Sequence, residues 1–248
     1  MRIVVTNCNT TQEMTEEIVR GARAAAGPGT TVTGLTPAWG PESAEGWLDS
    51  YLSAAAVIDL LRTYHGPPYD AVVMAGFGEH GREGVRELVD VPVVDITEAA
   101  AHLACLLGRR YGVVTTLERS CGQIEDSLEL AGVGRNCAAV VGTGLSVLDL
   151  GDAAGDGRGE RAGTEAAFLT AAEQACRAGA EVLVLGCAGM TGLERTVGEK
   201  LGIPVVDGVA AAVKLAESLV TLGLTTSRAG SYAKPLPKGR AWGPPTAG

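Results

Sequence analysis

Short runs rich in valine and isoleucine alternate along the chain with longer segments of helical periodicity. The strand-like runs fall at residues 2–6, 31–35, 71–75, 92–95, 111–115, 137–141, 181–186 and 204–206. Each is too short for a helix and is bounded by glycine, proline or polar residues, so the pattern predicts βαβ units with parallel strands in an α/β fold. The first helix has a start signal: Thr10 can cap it and Glu13 stands three residues on, a capping box directly after Asn7-Cys8-Asn9. That places the Asn7-Cys8-Asn9 loop at the carboxyl end of a strand, where open α/β sheets bind ligands.

An internal repeat sharpens the picture. Val72-Val73-Met74-Ala75-Gly76-Phe77-Gly78 leads through a helical segment to Val91-Pro92-Val93-Val94-Asp95 and an alanine-rich helix. Val182-Leu183-Val184-Leu185-Gly186-Cys187-Ala188-Gly189 leads likewise to Ile203-Pro204-Val205-Val206-Asp207 and a second alanine-rich helix. Gly76 precedes Pro92 by 16 positions and Cys187 precedes Pro204 by 17. The halves read as duplicated units, with Gly76 and Cys187 at corresponding strand-to-helix turns. Residues 151–159, six of them glycine or alanine, predict a flexible surface loop, and the proline-rich stretch from Ser227 onward an irregular tail.

Composition narrows the class. At 248 residues the chain is long enough for one large or two smaller cores. Apolar residues at 46% exclude a disordered chain, and aromatics at 4% argue against an aromatic-rich β-sandwich. The net charge of −9 comes without a basic cluster, which argues against a nucleic-acid partner. Six cysteines (8, 105, 121, 137, 176, 187) contain no CxxC pair and read as free thiols of a cytoplasmic protein. Three histidines (His65, His80, His102) show neither HxH nor HExxH spacing, so no metal site is expected. No apolar run approaches 18 residues, so neither a signal peptide nor a membrane span is expected.

Chemistry concentrates at the strand ends. Cys187 follows a buried-type strand and precedes a helix, where backbone N–H groups are expected to face an anion and lower the thiol pKa; the bland alternative is a small core residue. Asn7, Asn9, Thr10 and Thr11 offer amides and hydroxyls to a polar substrate, although capping alone explains Thr10. Thr115 and Thr116 suit a carbonyl or carboxylate oxygen, or serve only as a helix cap. His80, Glu79 and Cys121 also lie just past strand ends, while Cys105 and Cys176 sit in helical patterns and read as core.

These residues resemble a family. Asn7-Cys8-Asn9-Thr10-Thr11, Ala75-Gly76-Phe77-Gly78, Pro92-Val93-Val94-Asp95, Val113-Val114-Thr115-Thr116, Gly186-Cys187-Ala188-Gly189-Met190 and Thr226-Ser227-Arg228 with Ser231-Tyr232 look like the hydantoin and allantoin racemases of the Asp/Glu racemase superfamily. The resemblance implies two pseudo-symmetric Rossmann-like lobes, residues 1–95 with 208–226 and residues 96–207, followed by an irregular tail at 227–248. It further implies a cofactor-independent homo-oligomer that takes a small-molecule substrate. One cysteine from each lobe would face the cleft between them, one thiolate removing an α-proton and the other thiol protonating the opposite face. Asn9, Phe77, Gly78, Thr115, Thr116, Ala188 and Gly189 would then bind substrate, with Trp39, Trp47 and Tyr51 as pocket walls by analogy.

Two positions depart from that pattern: the usual Asn-Pro-Asn is Asn7-Cys8-Asn9, and the first catalytic cysteine is Gly76. Four explanations compete. His80, Glu79, Cys8 or a bound water replaces the missing base; Cys187 works alone, in a pattern similar to the arylmalonate decarboxylases; the chain is an inactive binding protein; or glycine at 76 is an introduced substitution. The expected function is racemisation or epimerisation of a small cyclic amide, such as a 5-substituted hydantoin, an allantoin-like ureide or a cyclic dipeptide, with Cys187 as acid–base and His80 as a possible substitute at the second face. Gly76 is expected to lie opposite Cys187, and a positive φ there would make it intolerant of a side chain.

Overall fold

The computed structural model describes residues 1–147, 158–190 and 193–240. Among the described residues eight strands follow one another as β1 (Arg2–Thr6), β2 (Thr31–Leu35), β3 (Ala71–Met74), β4 (Val93–Asp95), β5 (Tyr111–Thr115), β6 (Cys137–Gly142), β7 (Val182–Leu185) and β8 (Val205–Val206). The helices of the described residues are α1 (Gln12–Ala25), α2 (Trp47–Arg62), α3 (Arg82–Leu88), α4 (Ile96–Leu107), α5 (Cys121–Leu130), α6 (Arg158–Arg177), α7 (Glu194–Leu201) and α8 (Gly208–Thr221). Every strand pair is parallel.

The strands form two four-stranded sheets, ordered β2-β1-β3-β4 and β6-β5-β7-β8. Adding four to each strand number of the first order gives the second, so the sequence repeat is a repeat of topology. In each sheet the chain leaves its first strand to one side and returns on the other, which opens a switch point between β1 and β3 and another between β5 and β7. The strands flanking these points are largely apolar because both faces are covered: β3, β5 and β7 are buried along their whole length.

The repeated Val-Val-Asp has a local cause. Its valines lie in β4 and β8, and its aspartates cap the helices that follow. Asp95 Oδ1 accepts from the N–H groups of Thr97 (2.9 Å) and Glu98 (3.1 Å), and Asp207 Oδ1 from that of Ala210 (2.7 Å). The two capped helices pack on each other; α4 reaches across to β7, while α8 covers β3, β4 and α1. This helix pair ties the two sheets together.

One local expectation changes. Helix α1 starts after Thr11 with no side-chain cap, and Thr10 Oγ1 instead donates to the Pro41 carbonyl, so the Thr10–Glu13 capping box does not form. The Thr10 N–H, which the box would offer to the Glu13 side chain, is taken by the Pro41 carbonyl at 3.0 Å. The glycine-rich break expected at 151–159 lies outside the described residues up to 157, and α6 already begins at Arg158. From Ser227 to residue 240 the chain has one 3₁₀ turn, Gly230–Tyr232, and otherwise irregular backbone. It is held to the first sheet's side by Arg228 on the Arg86 carbonyl (2.8 Å) and on Asp90 (3.0 Å). No helix among the described residues is long and apolar enough to cross a membrane.

Candidate active site

Four turns meet in one cleft whose empty space, its open mouth included, is about 490 Å³. They are the turns leaving β1, β3, β5 and β7, the four strands that flank the two switch points. Cys8, Gly76 and Cys187 each stand two residues past their strands, which end at Thr6, Met74 and Leu185.

The turn after β1 is locked internally. Asn7 Nδ2 donates to Asn9 Oδ1 (2.8 Å) and to the Thr11 carbonyl (3.1 Å), and the Asn9 N–H donates back to Asn7 Oδ1 (3.2 Å). Asn9 therefore lines the cleft but uses its oxygen to hold the loop. Cys8 projects from this rigid turn, 9% exposed, and burial pushes its thiol up to about 12.

The turn after β3 is shaped by close approach. Gly76 lacks a positive φ, so the conformational reason expected for a glycine there does not apply. A Cβ at this position would meet His80 Cδ2 at 2.3 Å, Cys8 Cβ at 2.7 Å and Cys8 Sγ at 2.9 Å. The volume that a side chain at 76 would fill is occupied by Cys8 and His80. Gly78, at φ +122°, turns away from the cleft: its N–H donates to Thr97 Oγ1 (2.8 Å) and its carbonyl accepts from Ser127 Oγ (3.0 Å). Glu79 also points elsewhere, accepting from the N–H groups of Gly81 (2.8 Å) and Arg82 (3.1 Å) at the start of α3.

His80 stands in the cleft wall, fully buried, and that burial pulls its imidazole down to about 4. Nε2 lies 3.3 Å from the Phe77 carbonyl, which can only accept, and this places the ring proton on Nε2. Nδ1 then faces the Ser50 hydroxyl at 3.0 Å. The single Ser50 proton has two acceptors within reach, His80 Nδ1 and the Glu79 carbonyl (2.6 Å), and Ser50 Oγ accepts from Gln123 Nε2. Both nitrogens of the neutral ring are thus engaged by protein.

From the second sheet, Thr115 and Thr116 line the cleft. Thr115 Oγ1 donates to the Gly186 carbonyl at 3.0 Å, which ties the β5 turn to the β7 turn. Gly186 admits no Cβ, since one would lie 2.7 Å from the Val114 carbonyl oxygen. Cys187 and Ala188 line the cleft, whereas Gly189 does not; its N–H donates to the Cys187 sulfur. Only a single 3₁₀ turn, Ala188–Met190, follows Cys187 directly. Burial outweighs the Gly189 hydrogen bond, and the thiol is pushed up to about 11, not lowered as expected for a helix start.

Trp39, Trp47 and Tyr51 do not form the walls. Trp39 Nε1 donates to Asp59 Oδ2 at 3.1 Å, and Trp47 and Tyr51 are 43% and 68% exposed. The apolar wall is made instead by Met14, Ile18, Ala44, Phe77 and Val147. Sequence reasoning also missed Ser50, Ser120 and Gln123. A signal for Gln123 existed: along α5 the buried positions are Gln123, Ile124, Ser127 and Leu128, so the helical period puts two polar residues on the inward face. Among the described residues, no lining side chain is an Asp, Glu, Lys or Arg, and no three His, Cys, Asp or Glu side chains gather as a metal site.

Comparison with known proteins agrees with this architecture. Residues 3–216 match the Asp/Glu/Hydantoin racemase family. The chain is 36% identical over 239 residues to a hydantoin racemase of Paenarthrobacter aurescens, covering 96% of this chain and 99% of that one. Among solved structures, allantoin racemase from Pseudomonas fluorescens superposes with a TM-score of 0.92 at 52% identity, covering 97% of this chain and 100% of that one. Allantoin racemase from Klebsiella pneumoniae does so with a TM-score of 0.89 at 38% identity, covering 97% and 96%. With the family match running through both sheets and racemases aligned nearly end to end, the chain belongs to the Asp/Glu/hydantoin racemase family and is an isomerase, a racemase.

Proposed function

We propose that this racemase inverts the α-carbon of a small, uncharged cyclic amide or ureide, a 5-substituted hydantoin or an allantoin-like compound, with Cys187 exchanging the α-proton on one face. The observation that carries the reading is the chemistry of the cleft lining. It presents thiols, hydroxyls, amides and apolar walls but no cationic side chain among the described residues. A free amino acid or a malonate would bring one or two carboxylates into a buried site without a partner, at a cost of several kcal/mol each. A neutral ring with carbonyl and N–H groups has no such cost and can be held by Thr115, Thr116 and the turn backbones. The hydantoin and allantoin racemases to which the chain is similar point the same way.

The chemistry follows from the arrangement. Thiolate at Cys187 takes the proton next to the carbonyl, and negative charge develops on the carbonyl oxygen. Backbone N–H groups at Phe77 and Cys187, which have no protein acceptor among the described residues, are available to that oxygen. A proton delivered to the opposite face completes the inversion. The step as written moves only protons and uses no cofactor.

The test uses single antipodes of allantoin, 5-methylhydantoin and a cyclic dipeptide in D₂O, followed by polarimetry and by NMR of the α-hydrogen, with an arylmalonate assayed in parallel for CO₂. Exchange accompanied by loss of rotation in a cyclic amide or ureide is expected. Carbon dioxide release from the arylmalonate with no loss of rotation in any cyclic compound overturns the reading.

A further inference from the structure

We propose that Cys8 is the second proton-transferring residue of the cleft, its thiol standing in the volume that glycine leaves free at position 76 and serving the face of the substrate opposite Cys187. This inference rests on the proposed racemisation of a cyclic amide or ureide and assigns its other half.

Racemisation needs a group on each face of the α-carbon that can both take and give a proton. Among the lining residues described, the side chains that titrate at all are Cys8, His80 and Cys187. His80 is excluded by its bonding: Nε2 is turned to the Phe77 carbonyl and Nδ1 to Ser50. Cys8 remains. It comes from the first sheet and Cys187 from the second, so the two thiols approach the cleft from opposite lobes. They are close enough for charge on Cys187 to push the Cys8 thiol further up.

Position 76 supplies the independent observation. The turn after β3 is the topological counterpart of the turn that carries Cys187, since β3 and β7 hold the same place in their sheets. A side chain there would begin at a point 2.9 Å from the Cys8 sulfur. The thiol of Cys8 therefore occupies the location that symmetry assigns to a side chain at 76, reached from the neighbouring strand β1. The Asn7–Asn9 lock beneath it holds that thiol in one place.

The exchange balances without any further reactant. Cys187 as thiolate takes the hydrogen from the α-carbon and becomes a thiol, while the C–H electron pair is delocalised into the adjacent carbonyl. Cys8 as thiol gives its proton to the other face and becomes the thiolate. One negative charge has moved from one sulfur to the other, and the opposite antipode is handled by the reverse sequence.

The test compares Cys8→Ser and Cys187→Ser with the parent on each antipode of allantoin and 5-methylhydantoin in D₂O, above the enzyme-free rate. Serine keeps the size and hydrogen bonding of cysteine but not its acidity, so each variant should lose racemisation by about 100-fold or more. Each should retain α-hydrogen exchange without inversion for one antipode only, and the retained antipode should be opposite in the two variants. A role of Cys8 confined to shaping the turn would slow exchange of both antipodes alike, and that result overturns the assignment. So does racemisation by Cys8→Ser, or by Cys8→Ala if the serine variant fails to fold, within about threefold of the parent. Failure of the parent itself to exchange or invert these compounds would instead sink the cyclic-amide reading on which the inference rests.

Discussion

Replacing Gly76 with alanine probes the packing that couples positions 8 and 76, and the structure sets the size of the effect. The new Cβ would lie 2.3 Å from His80 Cδ2, 2.7 Å from Cys8 Cβ and 2.9 Å from Cys8 Sγ. All three distances are inside normal contact, and neither neighbour is the loose end of a flexible side chain. His80 is held by Ser50 and Phe77, and Cys8 by the locked turn that carries it. Gly76→Ala should therefore cost about 2–3 kcal/mol, the upper part of the range for overpacking a buried site. In a Cys8→Gly background two of the three clashes vanish and only the imidazole must shift, so the same substitution should cost about 1 kcal/mol. The coupling across the cycle is about 1–2 kcal/mol, with Cys8→Gly partly relieving Gly76→Ala. Urea unfolding of the four proteins, read from midpoints at constant m, measures it. Costs that add to within about 0.5 kcal/mol would show that Cys8 does not fill the space beside residue 76.

Further consequences follow from the buried titrating groups. With the Cys187 thiol pushed up to about 11 and that of Cys8 to about 12, the form bearing one thiolate is scarce at neutral pH. Racemisation, as kcat/KM, should rise nearly tenfold per pH unit from about pH 7 to 10, with apparent pKa values that belong to the pair of thiols; a flat profile over that range contradicts the acidities read from burial. His80 acts on stability. Its imidazole titrates near 4 when folded against 6.5 in the open chain, so the unfolded state binds the extra proton in that window and stability falls as pH drops through it. At pH 4.5 about 2–3 kcal/mol of the stability present at pH 7.5 should be lost through this group. In His80→Gln the loss between the two pH values should be smaller by that amount, and an equal loss in both proteins would contradict it.

Which parts of this architecture can be read from sequence follows from how far each signal extends along the chain. The strands announce themselves because parallel strands covered on both faces must be apolar throughout, and runs such as Val72–Met74 and Val182–Leu185 contrast sharply with their flanks. The repeat is legible for the same reason, and its aspartates do one local job in both halves, capping α4 and α8. Features decided by competition between distant groups are not legible. The expected capping box at Thr10 fails because Pro41, from another segment, takes both the Thr10 N–H and the Thr10 hydroxyl. The acidity expected for Cys187 reverses because burial, which no short motif encodes, outweighs the one N–H that reaches the sulfur. Gly78 and Gly189 belong to the right turns yet serve Thr97 and the Cys187 sulfur, leaving Phe77 and Ala188 to face the cleft.

The same distinction explains positions 8 and 76. In one dimension they are separate departures from the pattern that the family resemblance implies, Cys8 in place of a proline and Gly76 in place of a cysteine, and nothing in the chain between them suggests a connection. In three dimensions β1 and β3 are neighbours, with Thr6 beside Met74 in register, so residues two places past each end are forced together at the switch point. A side chain on one turn then excludes a side chain on the other, as the 2.7 Å approach of Cys8 Cβ to the missing Cβ shows. Glycine at 76 is thus the condition for a cysteine at 8 to enter the cleft, and the first sheet presents a thiol to Cys187 from the adjacent strand.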